Sequence, residues 1–247
     1  MLAAKHEAQV YRFFESLTPL LEIFDRAPVP SPPLQPPLSL LIDSLAVLPF
    51  HDEPLVAPGS PWPPFNEAKL VQILDLAVQA YKGGDLEPRI TPLASLLSYI
   101  ARDAPEDTKK RLRSHLLPSD QDRTQALGQG NSLPHRLVRI STGAVTPPLK
   151  KALAHMYLEL SAGNPKDLIH NVGFGCGVGL LRALGMPVPP LDTDDGESAG
   201  GSSEVNPITG QRRDMEPRQT LPEMTGEEKE REAERLFVLF ERSVSAF

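Results

Sequence analysis

The run GFGCGVGL, from Gly173 to Leu180, is the segment of this 247-residue chain that comes nearest to a known chemical motif. Glycine-rich loops hold the phosphates of nucleotides, but they do so with the spacing G-x-G-x-x-G after a β-strand. Here the spacing differs, and the pattern before the run is helical. The run instead favours a tight turn and a close approach of two helices, since glycine permits both.

Nucleophilic catalysis and metal binding also find little support in residue types and spacing. The single cysteine, Cys176, would need a nearby base to act as a nucleophile, and the histidines do not pair at the spacing of metal ligands. The histidines are His6, His51, His115, His135, His155 and His170. We therefore predict no catalytic residue, no metal and no cofactor, and we expect Cys176 to be a small buried side chain.

Two segments of opposite charge remain as candidates for binding. The acidic run from Asp192 to Ser198 is not a calcium loop, because its glycine stands at position 5 instead of position 6. Lys109 and Arg113 stand at i and i+4 and so share one helix face. Each segment has a plain interpretation as a solvated surface. The alternative is that the acidic segment, with or without phosphorylation, folds onto the basic face.

Length and composition are those of a globular chain with one large domain or two small ones. Apolar residues make up 40% of the chain and charged residues 23%. The net charge of −7 argues against nucleic acid as a partner, because duplex binding normally requires a basic surplus. No apolar run reaches the roughly 20 residues that a membrane span needs. A lone cysteine and a start without a secretory signal favour the cytoplasm.

Helical periodicity dominates the chain, and strand patterns are scarce. The predicted helices cover 10–24, 38–48, 66–81, 91–100, 106–117, 133–140, 146–160, 165–172 and 178–184. Asn66 stands at an N-cap position, and Thr91 and Thr146 each precede a proline at the first helical position. Eight or nine short helices without strands predict an all-α fold, either a bundle or a stacked solenoid.

Proline content and composition mark the connecting segments. Proline-rich loops are predicted at 28–37, which is expected to run extended, and at 54–64. From 187 to 222 the chain has few apolar residues and many glycines, serines, prolines and acids. Such a segment cannot bury enough apolar surface to offset its ordering entropy, so we predict a disordered acidic linker.

The last segment returns to a helical pattern over 223–245. Thr225 and Glu228 form a capping box at its start. Its apolar stripe contains Leu236, Phe237 and Phe240. A helix of this kind after a tether either packs on its own domain or fits a groove of a partner, and the pattern does not choose between them.

Four stretches, in this order and at this spacing, resemble the synembryn family, also called resistance to inhibitors of cholinesterase. They are TKKRLRSHLLP from Thr108, the block from His135 to Gly185, NPITGQ from Asn206 and EMTGEEKEREAERLFVLFERS from Glu223. The second and third of these flank the acidic run from Asp192 to Ser198. Family members have longer N-terminal regions, so the resemblance implies a chain that starts near the middle of a family member.

The resemblance implies an armadillo-type α-solenoid over 1–186 and a cytosolic chaperone and guanine nucleotide exchange factor for heterotrimeric G protein α subunits (Gα). Members bind nucleotide-free Gα, and their earlier repeats supply most of the groove for its C-terminal helix. We expect a monomer that associates with the cell cortex only through Gα. The alternative function is a helical-repeat scaffold for some other peptide, without exchange activity.

The resemblance also implies roles for individual residues. Lys109 and Arg113 match family positions that receive the phosphorylated acidic linker. The nearest phosphate acceptors in this chain are Thr193, Ser198, Ser202 and Ser203. Leu236, Phe237 and Phe240 match the terminal helix that approaches the nucleotide-binding domain of Gα.

Overall fold

The regular structure of the described residues is helical, apart from an isolated antiparallel bridge between Val205 and Arg212. The computed structural model describes residues 17–47, 62–63, 65–190 and 205–216, together with Arg231 and Arg235. Its α-helices are α1 (17–26), α2 (Leu38–Val47), α3 (Glu67–Ala80), α4 (Leu86–Asp103), α5 (Glu106–Leu116), α6 (Leu133–Thr142), α7 (Pro147–Leu160), α8 (Pro165–Val172) and α9 (Phe174–Ala183). The prediction of an all-α chain is confirmed for these residues.

Several helix starts follow the local signals in the sequence. The Asn66 side chain accepts a hydrogen bond of 3.0 Å from the Lys69 backbone N–H at the start of α3. Thr146 is the N-cap of α7, whose first residue is Pro147. These positions match the predicted ones, because cap geometry depends on a few neighbouring residues and is little affected by tertiary contacts.

The predicted start at Thr91 is wrong, since α4 begins at Leu86 and carries Pro92 inside it. Proline in a helix interior removes one backbone hydrogen bond, which made Thr91–Pro92 resemble a helix start. Thr91 Oγ1 donates instead to the Glu87 carbonyl at 2.6 Å, as hydroxyls within helices do. Leu86 and Ile90 are buried, and the burial of this extra turn offsets the cost of the proline.

The helices pack as neighbours in a row. α4 packs against α2 and most extensively against α7, and α7 packs in turn against α9. α3, α5 and α6 contact one another, and α3 and α5 also contact α4. The fully buried apolar side chains larger than alanine along α4 and α7 are Ile90, Leu93, Leu96, Leu97, Ile100, Leu149, Leu153, Met156 and Tyr157. One continuous core therefore runs through the row.

The proline-rich segment 28–37 is not helical, but it does not run extended as a linker, so that expectation is wrong. Leu34 is only 1% exposed and belongs to the core. Its carbonyl accepts a hydrogen bond of 3.1 Å from Arg89 Nη1, and the Tyr81 hydroxyl donates to the Pro33 carbonyl. The segment packs against the C-terminal end of α3 and the first turns of α4. Of the second loop, 54–64, only Trp62 and Pro63 are described.

The predicted disordered linker over 187–222 is partly ordered. Residues 205–216 form a turn that ends in a short 3-10 helix, Arg213–Met215, so the prediction of disorder is wrong there. The parts 191–204 and 217–222 lie outside the described residues. The chain divides into two compact units, Met1–Met215 and Glu216–Phe247. In the second unit Arg231 and Arg235 are helical and exposed, and Leu236, Phe237 and Phe240 lie outside the described residues.

The glycine run is helical in the structure, where it forms most of α9, and another helix, α8, precedes it. A Cβ on Gly177 would lie 2.8 Å from Ile169 Cγ1 and 3.1 Å from Ile169 Cα. These distances are shorter than van der Waals contact, and the second involves backbone. The expected close approach of two helices is therefore found between α8 and α9.

We predict that Gly177→Ala lowers the free energy of unfolding by about 1–3 kcal/mol, because the new methyl group overpacks the α8–α9 contact. Gly179→Ala is the matched control, since a Cβ there meets only the end of Lys150, at 3.8 Å. The control should raise stability by roughly 0.5–1 kcal/mol through helix propensity. Urea denaturation of both variants checks this, and equal effects of the two substitutions would contradict it.

Candidate partner-binding surface

A groove lies between the polar faces of α4 and α7. It encloses about 330 Å³. It is lined by Ser95, Ser98, Tyr99, Arg102, Pro148, Lys151, Ala152, His155 and Glu159. On α7 the polar lining residues recur every fourth position, and on α4 every third or fourth. One face of each helix therefore enters the groove, while the apolar face enters the core.

Aromatic and cationic groups meet at one wall of the groove. Tyr99 is 7% exposed, and burial raises the pKa of its hydroxyl although Arg102 opposes the shift. The Arg102 guanidinium lies 5.8 Å from the centroid of the Tyr99 ring, which is within the range of a cation–π contact. A wall of this kind offers a flat apolar surface and a positive charge to the same ligand.

The charges around the groove are arranged as close pairs. Arg102 donates to Asp103 through Nε at 2.8 Å and through Nη2 at 2.9 Å, a bidentate geometry that raises the pKa of Arg102. Glu159 faces the same charges. Burial raises the pKa of its carboxyl most, Arg102 and Lys109 lower it, and Asp103 raises it further. The groove therefore combines the Arg102 guanidinium, which Asp103 holds in place, with the partly buried carboxyl of Glu159.

Lys109 and Arg113 lie together on α5, as predicted, at the edge of this region. Both contact Glu106, with Lys109 Nζ at 3.4 Å and Arg113 Nη1 at 3.5 Å from its carboxylate oxygens. Arg113 Nε also donates at 3.0 Å to the Leu160 carbonyl at the end of α7. Their proposed role toward the acidic linker stays a prediction, because Thr193, Ser198, Ser202 and Ser203 lie outside the described residues.

Cys176 is buried in α9, where burial raises the pKa of its thiol to about 12. At neutral pH the thiol therefore keeps its proton and is a poor nucleophile. In the described part of the chain, no group of three His, Cys, Asp or Glu side chains is placed to hold a metal ion. Among the described helices, none combines the length and apolar character that crossing a membrane would require.

Sequence reasoning missed the groove residues and a buried arginine. Tyr99, Arg102 and Lys151 look like an ordinary solvent face, and only the spacing of polar residues on two helices hinted at them. Arg123 lies in the loop between α5 and α6 and is 6% exposed. It follows two aspartates, Asp120 and Asp122, in a segment without periodicity, so no pattern distinguished it from a solvated residue.

Comparison with known proteins decides the family. The family described as "Guanine nucleotide exchange factor synembryn" matches residues 1–245. The chain belongs to the synembryn family. It is 30% identical over 182 residues to Chaperone Ric-8A of Xenopus tropicalis, which covers 70% of this chain and 33% of that protein. It is 31% identical over 170 residues to a synembryn-like chaperone of Schizosaccharomyces pombe, covering 64% of this chain and 31% of that protein.

The matched region covers only part of each relative. Chaperone Ric-8A of Gallus gallus is similar at 30% identity over 170 residues, or 65% of this chain and 31% of the relative. The chain thus spans about a third of the length of the curated relatives it matches. The family description names an exchange factor, which acts by binding rather than by covalent chemistry, in agreement with the prediction that the chain is not an enzyme.

We predict that Arg113→Ala lowers the free energy of unfolding by about 1 kcal/mol, because the Leu160 carbonyl loses a charge-assisted donor. Lys109→Ala should cost less than about 0.5 kcal/mol, since the i,i+3 ion pair it removes joins a half-buried lysine to the exposed Glu106 carboxylate. Thermal or urea unfolding of the two variants measures the difference. Equal losses would show that the Arg113–Leu160 bond contributes nothing beyond the pairing with Glu106.

We predict a pH-dependent effect of Glu159→Gln. Because burial raises the pKa of Glu159 in the folded chain, the ionised carboxyl disfavours folding, and this penalty is complete above the folded pKa and absent below the unfolded pKa. The variant should therefore be more stable than the wild type at pH 7, and the difference should vanish as the pH falls to about 4. Urea midpoints measured from pH 4 to pH 8 check the sign, which a constant difference would contradict.

Proposed function

We propose that this chain is a guanine nucleotide exchange factor and folding chaperone that binds nucleotide-free Gα in the cytoplasm and promotes GDP release. The observation that carries the proposal is membership of the synembryn family along residues 1–245. Relatives from a frog and a fission yeast are both named as chaperones. The mechanism requires only that the chain bind the empty state better than the GDP-bound state, since affinity for GDP then falls by the same factor.

The row of packed helices supports an α-solenoid as the scaffold for this function. α2, α4, α7 and α9 follow one another as neighbours, and α3, α5 and α6 contact one another as a second set. Stacking of this kind leaves grooves between consecutive helices of one layer, which repeat proteins use to bind extended or helical segments. We propose that the α4–α7 groove forms part of the surface that holds the C-terminal helix of Gα.

The chemistry of the α4–α7 groove suits an amphipathic peptide that ends in a carboxylate. Tyr99 and the buried walls provide apolar contact, and Arg102 and Lys151 provide positive charge. Glu159 lines the same groove, where its carboxylate would accept from a basic or hydrogen-bonding group of the ligand. Mixed charge of this kind selects register and partner more than it raises affinity.

The terminal helix is proposed as a second contact with Gα. The sequence spacing of its apolar residues Leu236, Phe237 and Phe240 predicts that they share one helix face. Such a stripe can fit a groove of the partner. The basic face at Lys109 and Arg113 is proposed to receive the acidic linker, and this requires that Glu106, its present ion-pair partner, give way.

The second candidate is a scaffold that binds some other peptide in the α4–α7 groove without effect on nucleotide. The groove itself favours neither candidate, because both need a concave polar surface. They differ in whether binding depends on the nucleotide state of the partner.

We predict that the purified chain binds Gα only when nucleotide is absent and that excess GTP analogue abolishes the complex. Phe237→Ala with Phe240→Ala should weaken binding at least tenfold, because about 1.4 kcal/mol of apolar contact corresponds to tenfold in affinity. Arg231→Ala with Arg235→Ala is the control on the same segment, since both arginines are exposed. Titration calorimetry measures Gα binding by the wild type with and without the GTP analogue, and by each double variant without it.

Binding that is indifferent to nucleotide would favour the scaffold. Equal weakening by both double variants would show that the terminal segment contributes charge instead of an apolar stripe. Helical circular dichroism of each variant confirms that the fold is intact.

A further inference from the structure

The segment after the acidic run closes on itself as a hydrogen-bonded turn over 205–215, which we name the anchor turn. The Asn206 carbonyl accepts from the Gly210 N–H at 2.8 Å, and its side-chain oxygen accepts from the Ile208 N–H at 2.9 Å. The Asn206 N–H donates to the Gln211 carbonyl at 2.7 Å. Ile208 is 64% exposed, so polar contacts rather than apolar burial define this turn.

Three backbone hydrogen bonds fasten the anchor turn to the helical domain. The Leu127 N–H donates to the Thr209 carbonyl at 3.0 Å, and the Arg212 N–H donates to the Arg123 carbonyl at 2.7 Å. The Phe174 N–H, at the start of α9, donates to the Pro207 carbonyl at 2.9 Å. The turn therefore bridges the α5–α6 loop and the junction of α8 and α9.

The buried Arg123 guanidinium joins the same three segments. Nη1 donates at 3.1 Å to the Gly210 carbonyl of the anchor turn. Nη2 donates to the His170 and Asn171 carbonyls at 3.2 and 3.0 Å, at the C-terminal end of α8 where a cation is favourable. An arginine fork suits this task because its donors are rigid and point in fixed directions.

Gly210 makes the close fit possible. Its φ of +67° lies in the left-handed region, and a Cβ there would lie 2.4 Å from Leu127 Cδ1 and 2.7 Å from Leu127 Cγ. A β-branched residue would strain the backbone at this φ, and its Cβ would require the Leu127 side chain or the turn itself to shift. The contact is thus built from three elements that meet at one point: a buried fork, a tight glycine and a row of backbone bonds.

We propose that Arg123 and the anchor turn act together as a clasp that shortens the tether of the terminal segment, and so raises its effective concentration at a Gα subunit held by the helical domain. This inference rests on the proposed function. Without the clasp, 32 residues (191–222) would separate the helical domain from the predicted terminal helix. With it, seven residues (216–222) do so.

The difference in reach is large. Seven extended residues span about 25 Å, whereas 32 span about 110 Å. Effective concentration falls roughly as the −3/2 power of tether length, so the clasp raises it about tenfold. Arg123 is accordingly a positioning residue, which affects the partner through the terminal segment.

Tryptic cleavage after Arg212 and Arg213 tests the clasp without any partner. Gly210→Val should raise the cleavage rate at least tenfold, because cleavage needs the anchor turn to open. Gly185→Val is the matched control, since Gly185 has a φ of +68° but a Cβ there would meet nothing within 4 Å. Equal cleavage rates in the wild type and in Gly210→Val would overturn the clasp.

Two insertions test the tether in an otherwise unchanged chain. A flexible Gly-Ser segment of about 25 residues placed after Met215 should weaken binding of nucleotide-depleted Gα about tenfold. The same segment placed between Gly200 and Gly201, upstream of the anchor turn, should leave the affinity unchanged. In a chain that already carries Gly210→Val, the insertion after Met215 should weaken binding of nucleotide-depleted Gα only about twofold relative to Gly210→Val alone.

Equal weakening by the two insertions would overturn the role of the clasp in the tether. Failure of the wild type to bind nucleotide-depleted Gα would overturn the proposed function together with the tether. Slow tryptic cleavage after Arg212 and Arg213 that Gly210→Val accelerates would still uphold the clasp itself, so the two failures are distinguishable.

Discussion

The contact between α4 and α7 determines where the chemically useful side chains of this chain lie. Apolar residues on both helices, such as Leu97 and Leu153, are completely buried there. Each such side chain contributes about 1.5–3 kcal/mol by leaving water. Because the apolar faces fix the rotation of both helices, the polar faces beside them must point into a shared groove. The packing of α4 against α7 is therefore sufficient to place Tyr99 and Lys151 in the same groove.

The same packing limits what the groove can be. Side chains that line it come from rigid helices, so its shape follows the crossing of α4 and α7 rather than the adaptation of loops. Arg102 is restrained by Asp103, and Glu159 by its partial burial. A site with preset charges loses little entropy on binding, but it accepts a narrow range of ligands. Under the proposed function, such a surface would distinguish one state of a partner from another.

The sequence predicted those elements whose local signals agree with their tertiary setting. Asn66 and Thr146 begin helices as expected, and the stripe from Leu149 to Leu160 is buried as expected. Sequence-based prediction failed where long-range burial overrides a local signal. At Thr91 and Pro92, the free energy gained by burying the first turn of α4 exceeds the cost of a proline inside the helix. Lys109 and Arg113 could be placed on one face, but their pairing with Glu106 follows from rotamers that periodicity does not encode.

The anchor turn shows a different limit of sequence reasoning. Composition predicts disorder for 187–222 because it measures apolar content, and the turn indeed buries little apolar surface. Its order comes from backbone groups that meet a buried arginine, an arrangement without period or composition. Burial lowers the pKa of Arg123, opposed by Asp120 and Asp122, and three carbonyls hold the charge that burial disfavours. Burying the Arg123 guanidinium costs desolvation free energy. We interpret the arginine as retained because it fixes one position of the anchor turn among several.

Under the proposed exchange function, such fixed geometry bears directly on the difference in binding free energy between empty and GDP-bound Gα. A protein that weakens GDP binding by a given factor must gain the same free energy from contacts it makes only with empty Gα. Contacts made equally in both states contribute to affinity and nothing to exchange. Under the proposed function, a rigid groove together with a terminal segment on a short tether would meet two separate surfaces of Gα. If those surfaces adopt the required spacing only when nucleotide is absent, then the restraint on the spacing, more than the area of contact, is what distinguishes the two states.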